Sequence, residues 1–145
     1  MPETACVIRQ AGVRDREEVF SLVKDFSPGS IPDLLAFQTT FAALDKAAGS
    51  VLFVAENTTE TVVGYILVSC RVSFLANAPV AWVEEVMVAK AWRRKQIGKA
   101  LMGAAEGWAQ QRGAAHITLA SRQSGQFYLA LGYENAATFF KKLLT

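Results

Sequence analysis

Apolar residues recur along this chain at two spacings, and each change of spacing marks a change of element. Residues 7–9, led by the β-branched pair Val7 and Ile8, read as a short first strand. From Asp15 the spacing becomes helical: Val19, Leu22, Val23 and Phe26 share one face, with Asp15 as cap and Glu18 three residues on, as in a capping box. Ser27, Pro28 and Gly29 break that helix. A second is expected from Ser30, with Pro32 in its first turn, Leu34, Phe37, Phe41 and Leu44 as its stripe, and Gly49 at its end.

The middle of the chain is extended. Residues 51–56 and 62–71 are apolar, β-branched runs joined by a polar stretch, the pattern of a hairpin. An apolar loop at 72–79 leads to a third run at 81–88. Helical spacing returns at 96–112, where Ile97, Leu101, Ala104 and Trp108 line one side and Gly113 suits the C-terminal cap. A strand at 116–120, a short helix at 124–131, a β segment from Tyr133 and an edge strand at 137–143 complete the order β-α-α-β-β-β-α-β-α-β-β. That is a mixed α/β pattern.

Length and composition place this pattern in one domain spanning 1–145. Hydrophobic residues make up 52% and charged residues 19%, enough apolar material for a packed core. The net charge of +2 demands neither nucleic acid nor an anionic membrane, so any anion site must be local. No apolar run approaches the roughly 20 residues that span a bilayer. The start of the chain lacks a basic region followed by an apolar one, so a cytoplasmic location is expected. Cys6 and Cys70 are too far apart in sequence to suggest a metal site or disulfide framework, and read as buried thiols. No metal is expected. His116, the one histidine, has no partner near it in sequence and reads as structural; Trp82, Trp92 and Trp108 read as packing residues.

One segment carries chemistry. Residues 83–101 run from a strand through the basic turn Arg93, Arg94, Lys95 into a helix with Gln96, Ile97, Gly98 and Lys99 at its start. The free N–H groups of a first helical turn carry partial positive charge and suit phosphates. The four cations add full charges, and Gly98 lets a ligand approach the backbone. Upstream, Glu84 and Glu85 end the strand; strict alternation would send one to each face.

The segment resembles the acetyl-CoA motif of the Gcn5-related N-acetyltransferase (GNAT) superfamily, Gln/Arg-x-x-Gly-x-Gly/Ala. Arg93 fills its first position, Gly98 its last, and Gln96 stands where the first glycine is expected. Phe127, Tyr128, Gly132 and Tyr133 match the family phrase Phe-Tyr-x-x-x-Gly-Phe/Tyr, and Ser121 stands where the family often has a cofactor-contacting Asn. Val7, Ile8, Arg9, Gln10 and Ala11, with Asp15 beyond, look like the family's usual opening, so the resemblance covers nearly the whole chain. It implies a GNAT fold: a mixed sheet of six to seven strands, about four helices, and a splay between the fourth and fifth strands. It implies acetyl-CoA as co-substrate, held by Val86, Met87 and Val88 and by the turn 93–99, with Ser121 nearby.

The implied reaction is direct transfer of acetyl to a primary amine of a small molecule. An alkyl ammonium has a pKa near about 10.4, so a base must take its proton. The oxyanion needs a donor, expected from backbone at Val86 and Met87. The departing thiolate needs an acid, for which the resemblance nominates Tyr128. Glu84 is the expected base, since it lies two residues before Val86 and so shares its face in a regular strand; a bulge there would substitute Glu85. The acceptor pocket is expected between the first two helices and loop 72–79, which bring Phe26, Phe37, Phe41, Phe74 and Leu75. The alternatives are a non-catalytic acyl-CoA-binding regulator and transfer to a protein or peptide amine. The resemblance also allows a homodimer. A nucleic-acid partner is disfavoured because no aromatics interleave with the 93–99 cations.

Overall fold

The computed structural model describes residues 6–26, 32–44, 46–122 and 124–145. Five strands form one sheet in the order β1 (Cys6–Gln10), β2 (Ser50–Asn57), β3 (Val62–Arg71), β4 (Val80–Val88) and β5 (Ile117–Thr118). The first three junctions are antiparallel and the β4–β5 junction is parallel. Alternation along β3 sorts the two faces. Ile66 and Val68 pack toward α3 (Ile97–Gln111), with Leu101, Met102 and Ala105. Tyr65 meets α1 (Arg16–Phe26) and α2 (Leu34–Leu44), with Val19, Leu22 and Phe41. The stripes read for α1 and α2 turn inward apart from their ends, where Phe26 and Leu34 remain exposed; on α3 the buried face is Ile97, Leu101, Met102, Ala105 and Ala109, one residue round from the expected Ala104 and Trp108, which are half-buried.

Two helix starts differ from expectation. Asp15 does not cap α1 in a box with Glu18. It closes a short 3-10 turn at Val13–Asp15, is 2% exposed, and accepts hydrogen bonds from Gly12 N–H (2.7 Å) and from both Arg9 Nη atoms (2.8 Å each). Arg9 also donates to Glu56, so β1, β2 and the start of α1 are clamped by one guanidinium. Glu18 instead accepts from Val62 N–H of β3 at 3.2 Å. The start of α2 is set by Asp33, whose Oδ2 accepts from Ala36 N–H at 2.8 Å. Ser27, Pro28, Gly29 and Ser30 lie outside the described residues.

The largest difference is at the C-terminal end. The strand expected at 116–120 is two residues long and pairs only through Ala81–Ile117 and Trp82–Thr118, after which β4 runs on with no strand on that side among the described residues. This is the splay expected between the fourth and fifth strands. After α4 (Gly125–Ala130), no strand forms from Tyr133 onward among the described residues, so the sheet has five strands rather than six or seven. Phe139 stacks on Trp82 with ring centroids 6.1 Å apart, and no backbone ladder accompanies it. Cys6 and Cys70 are half-buried free thiols. Among the described residues no helix is long and apolar enough to cross a membrane.

Candidate active site

After β4 the chain passes through a 3-10 turn at Lys90–Trp92 and enters α3 at Ile97. Arg94 (φ 63°) and Gln96 (φ 68°) both adopt the left-handed conformation, which costs a residue with a Cβ about 1–2 kcal/mol. Strain of this kind concentrates where a loop grips a ligand. The first helical bond runs from Ala100 N–H to the Gln96 carbonyl (3.1 Å), so the N–H groups of Ile97, Gly98 and Lys99 precede the ladder. Arg93 folds back: its Nε donates to Val88 O at 3.0 Å, and Nη2 lies 3.8 Å from Met87 Sδ. It staples the turn to the end of β4. The Lys95 nitrogen sits 5.7 Å from the Trp92 ring centre, while Arg94 and Lys99 are exposed. A Cβ on Gly98 would lie 3.2 Å from Phe127 Cζ, so this glycine lets α4 close over the start of α3.

β4 is not regular where the two carboxylates lie. Leu67 pairs with Glu85 and Val68 with Val83, which leaves Glu84 as the extra residue of a β-bulge. Val83 and Val86 therefore both face α3, whereas Glu85 faces α1 and α2. Glu85 Oε1 accepts from the Tyr65 hydroxyl at 2.7 Å, and Tyr65 is 1% exposed. Burial, then the Glu85 charge, push the Tyr65 phenol well above its usual value, so it stays a donor. Glu84 Oε2 accepts from Ser69 Oγ at 2.8 Å. Ser69 follows Tyr65 and Leu67 in alternation on β3, so both carboxylates reach the same face. The expectation of one on each face, with Glu84 sharing the face of Val86, fails because the bulge shifts the phase.

Glu85 borders a cavity of about 90 Å³ between the sheet and the two N-terminal helices. Val19, Val23, Phe37, Phe41 and Leu44 supply its helical wall. Loop 72–79 takes no part, since Phe74 and Leu75 are fully exposed, and Phe26 is absent from the lining. On the opposite face, Tyr128 packs against the α3 core, edge-on to Phe127 (5.0 Å) and Tyr133 (6.1 Å). Burial raises its phenol pKa, which keeps it protonated at neutral pH. Ser121 Oγ accepts from Ser124 N–H at 3.0 Å, so it holds the turn into α4.

The model of the acetyltransferase (GNAT) family matches residues 16–133. The chain belongs to that family. No curated protein sequence matches it significantly. Among solved structures, a transcriptional regulator from Bacillus halodurans C-125 superposes with a TM-score of 0.86 at 23% identity, covering 97% of this chain and all of that one. The glucosamine-6-phosphate N-acetyltransferase of Arabidopsis thaliana gives 0.85 at 21%, covering 97% and 99%. The aminoglycoside N-acetyltransferase AAC(6')-Iy, bound to a bisubstrate analogue of CoA, gives 0.82 at 23%, covering 96% and 99%. At these identities the likeness is one of fold.

In this GNAT chain, Val86, Met87, Val88 and residues 93–99 come together around one strand–turn–helix junction, and α4 brings Tyr128 beside it through the Phe127–Gly98 contact. Glu84 and Glu85 lie across the sheet from Tyr128, and the β4–β5 splay separates the two sides. Sequence reasoning missed Tyr65. A tyrosine inside the apolar run 62–71 was the available signal, because a buried phenol needs a partner for its hydroxyl.

Proposed function

We propose that this protein transfers an acetyl group from acetyl-CoA to the primary amine of a small molecule. The observation that carries the reading is Glu85, held by a buried tyrosine at an apolar cavity and placed on the stretch of β4 beyond its last pair with β5 at Trp82. Beyond Trp82 the β5 side of β4 has no strand partner among the described residues, so backbone groups along Val86–Val88, the Val88 carbonyl held by Arg93 apart, fit the amides of a pantetheine arm. The strained turn and the N–H groups of Ile97, Gly98 and Lys99 fit a pyrophosphate, with Arg94, Lys95 and Lys99 as counter-charges. Ser121 serves this site by fixing α4.

Bound there, acetyl-CoA supplies an acyl group on a thiol leaving group. The chain must strip a proton from the attacking amine and return one to the departing sulfur. Glu85 takes the ammonium proton through Oε2, since Oε1 is occupied by Tyr65. Glu84, exposed on the same face, attracts the ammonium at the rim. A β4 backbone N–H at Val86 or Met87 polarises the acyl oxygen. Tyr128, protonated on the other side of the splay, gives its proton to sulfur.

The test is an amine screen read by release of free thiol, run with calorimetry of CoA binding. Transfer should occur. Glu85→Gln and Tyr128→Phe should each lower turnover by about 10²–10⁴-fold while leaving CoA affinity unchanged. CoA binding with no transfer to any amine would identify a non-catalytic acyl-CoA-binding regulator instead. Turnover that survives Glu85→Gln but not Glu84→Gln would return the base to Glu84.

A further inference from the structure

We propose that the acceptor is a short aliphatic monoamine of about three to five carbons, a class that rests on the transferase reading above and narrows it. The cavity beside Glu85 sets the limits. Val23, Phe37, Phe41, Leu44 and Leu67 line it, and Glu85 supplies its one carboxylate. The hydroxyl in the wall, on Tyr65, already donates to Glu85 Oε1, which leaves Oε2 for an ammonium group. No Lys, Arg or His lines the cavity among the described residues. A carboxylate or phosphate on the acceptor would therefore meet Glu85 with no cation to offset it. Sugar hydroxyls would lose their water and find no free partner in the wall, each costing about tenfold or more in affinity. An aminoglycoside and glucosamine 6-phosphate, the compounds named in two of the similar structures, match neither the polarity nor the size of this cavity.

Volume fixes the length of the body. At about 90 Å³ the cavity is smaller than the roughly 150 Å³ apolar cavity that takes a benzene ring, so a propyl to pentyl chain enters and an aryl ring does not. The aromatic side of the wall is held from both helices: the Phe37 ring lies 5.7 Å from Phe41 and 5.0 Å from Phe20 between centroids. A diamine of the same length fails for another reason. With one nitrogen at Glu85, its far ammonium would sit among apolar side chains. Glu84 cannot receive that ammonium inside, because it is exposed and does not line the cavity. Each methylene buried against the wall contributes about fourfold in kcat/KM. The reaction balances as the one proposed above: the acetyl carbon passes from sulfur to nitrogen, and an alkyl ammonium plus acetyl-CoA gives the N-alkylacetamide, CoA thiol and one proton.

The experiment measures kcat/KM for a ladder of straight-chain primary amines at saturating acetyl-CoA. Values should climb about fourfold per carbon from ethylamine to pentylamine, roughly 60-fold in all, and fall again at phenethylamine. Putrescine, β-alanine and glucosamine 6-phosphate should each run about 100-fold or more below pentylamine. Val23→Phe, which fills the cavity, should flatten the ladder, and Phe37→Ala, which enlarges it, should move the optimum to phenethylamine. A flat ladder in the wild type, including one that comes with faster use of pentanoyl-CoA than of acetyl-CoA, overturns the acceptor class and leaves the transferase reading standing. So does a polar or doubly charged amine that outruns pentylamine. Failure of every amine overturns the transferase reading, and calorimetry on the CoA complex then decides the cavity by itself: pentylamine binding no tighter than ethylamine overturns the inference.

Discussion

Tyr65→Phe removes one oxygen from the centre of the protein and leaves the ring in place. The ring is packed among Val19, Leu22 and Phe41, so the change opens no cavity of consequence. What it removes is a 2.7 Å hydrogen bond to Glu85. Bonds to charged groups contribute about 1.5–3 kcal/mol. Glu85 is half-buried, so water can replace the lost donor in part, and the lower end applies: about 1.5 kcal/mol of stability. A freed carboxylate also samples more rotamers, and misplacing the base by that energy costs about tenfold in kcat/KM. The KM for acetyl-CoA should not move, because Tyr65 faces the helices α1 and α2 and not the turn. The assay is a double-mutant cycle in urea with Glu85→Leu. Glu85→Leu alone strands a buried phenol. Adding Tyr65→Phe to it replaces both partners by apolar groups, and should recover about 1 kcal/mol or more. If the second change destabilises the Glu85→Leu protein by as much as it does the wild type, the hydrogen bond is not what holds this pair.

Three further outcomes are expected. Gln96→Gly should stabilise the protein by up to about 1 kcal/mol in denaturant unfolding and keep or improve CoA affinity, because glycine takes the left-handed conformation without strain; a loss of stability refutes the strain reading. Asp15→Asn should cost about 3 kcal/mol at neutral pH, since it breaks the pair with Arg9. Arg9 holds the Asp15 carboxyl below the usual carboxylate range when folded, so this stabilisation is fully present above about pH 4 and lost as pH falls through the folded value; a wild-type-minus-mutant difference that stays constant down to pH ~2 contradicts it. Deleting Glu84 should leave a cooperative, folded protein whose acetyl-CoA affinity drops, visible as calorimetric binding lost without loss of the unfolding transition; unchanged affinity would separate the bulge from the site.

The sequence made the helical faces and the hairpin legible because each was set by local spacing. Val19, Leu22 and Phe41 bury where the period places them, and Asn57 organises the turn between β2 and β3 by accepting from Thr59 N–H and Thr61 N–H. The turn at 93–99 was legible from charge and its place before a helix. The role of Gln96 as a left-handed residue was not, because glutamine carries no mark of that conformation. The expected strands after Tyr133 failed for a different reason. Apolar residues there satisfy the pattern of a strand, but a strand also needs a neighbour to pair with, and the pattern alone does not supply one.

The bulge had a trace in the sequence. Ala81 and Val83 alternate, and so do Val86 and Val88, but the step from Val83 to Val86 is three residues, not two. A strand that keeps its apolar side chains on one face across such a step must absorb one residue, and Glu84 is that residue. The two consequences of the insertion belong together. It lets Glu85 keep the face toward the helices α1 and α2, where Tyr65 is waiting, although Glu84 intervenes, and it raises the local twist of β4 a few residues beyond its last pair with β5. A regular strand with one residue fewer would keep every apolar contact and leave Glu85 on the same face, so packing alone gives no reason for the bulge. What a regular strand would lack is the bend a bulge introduces just before Val86–Val88, and on the function proposed above that is where the thioester lies, between Glu85 on one side and Tyr128 on the other.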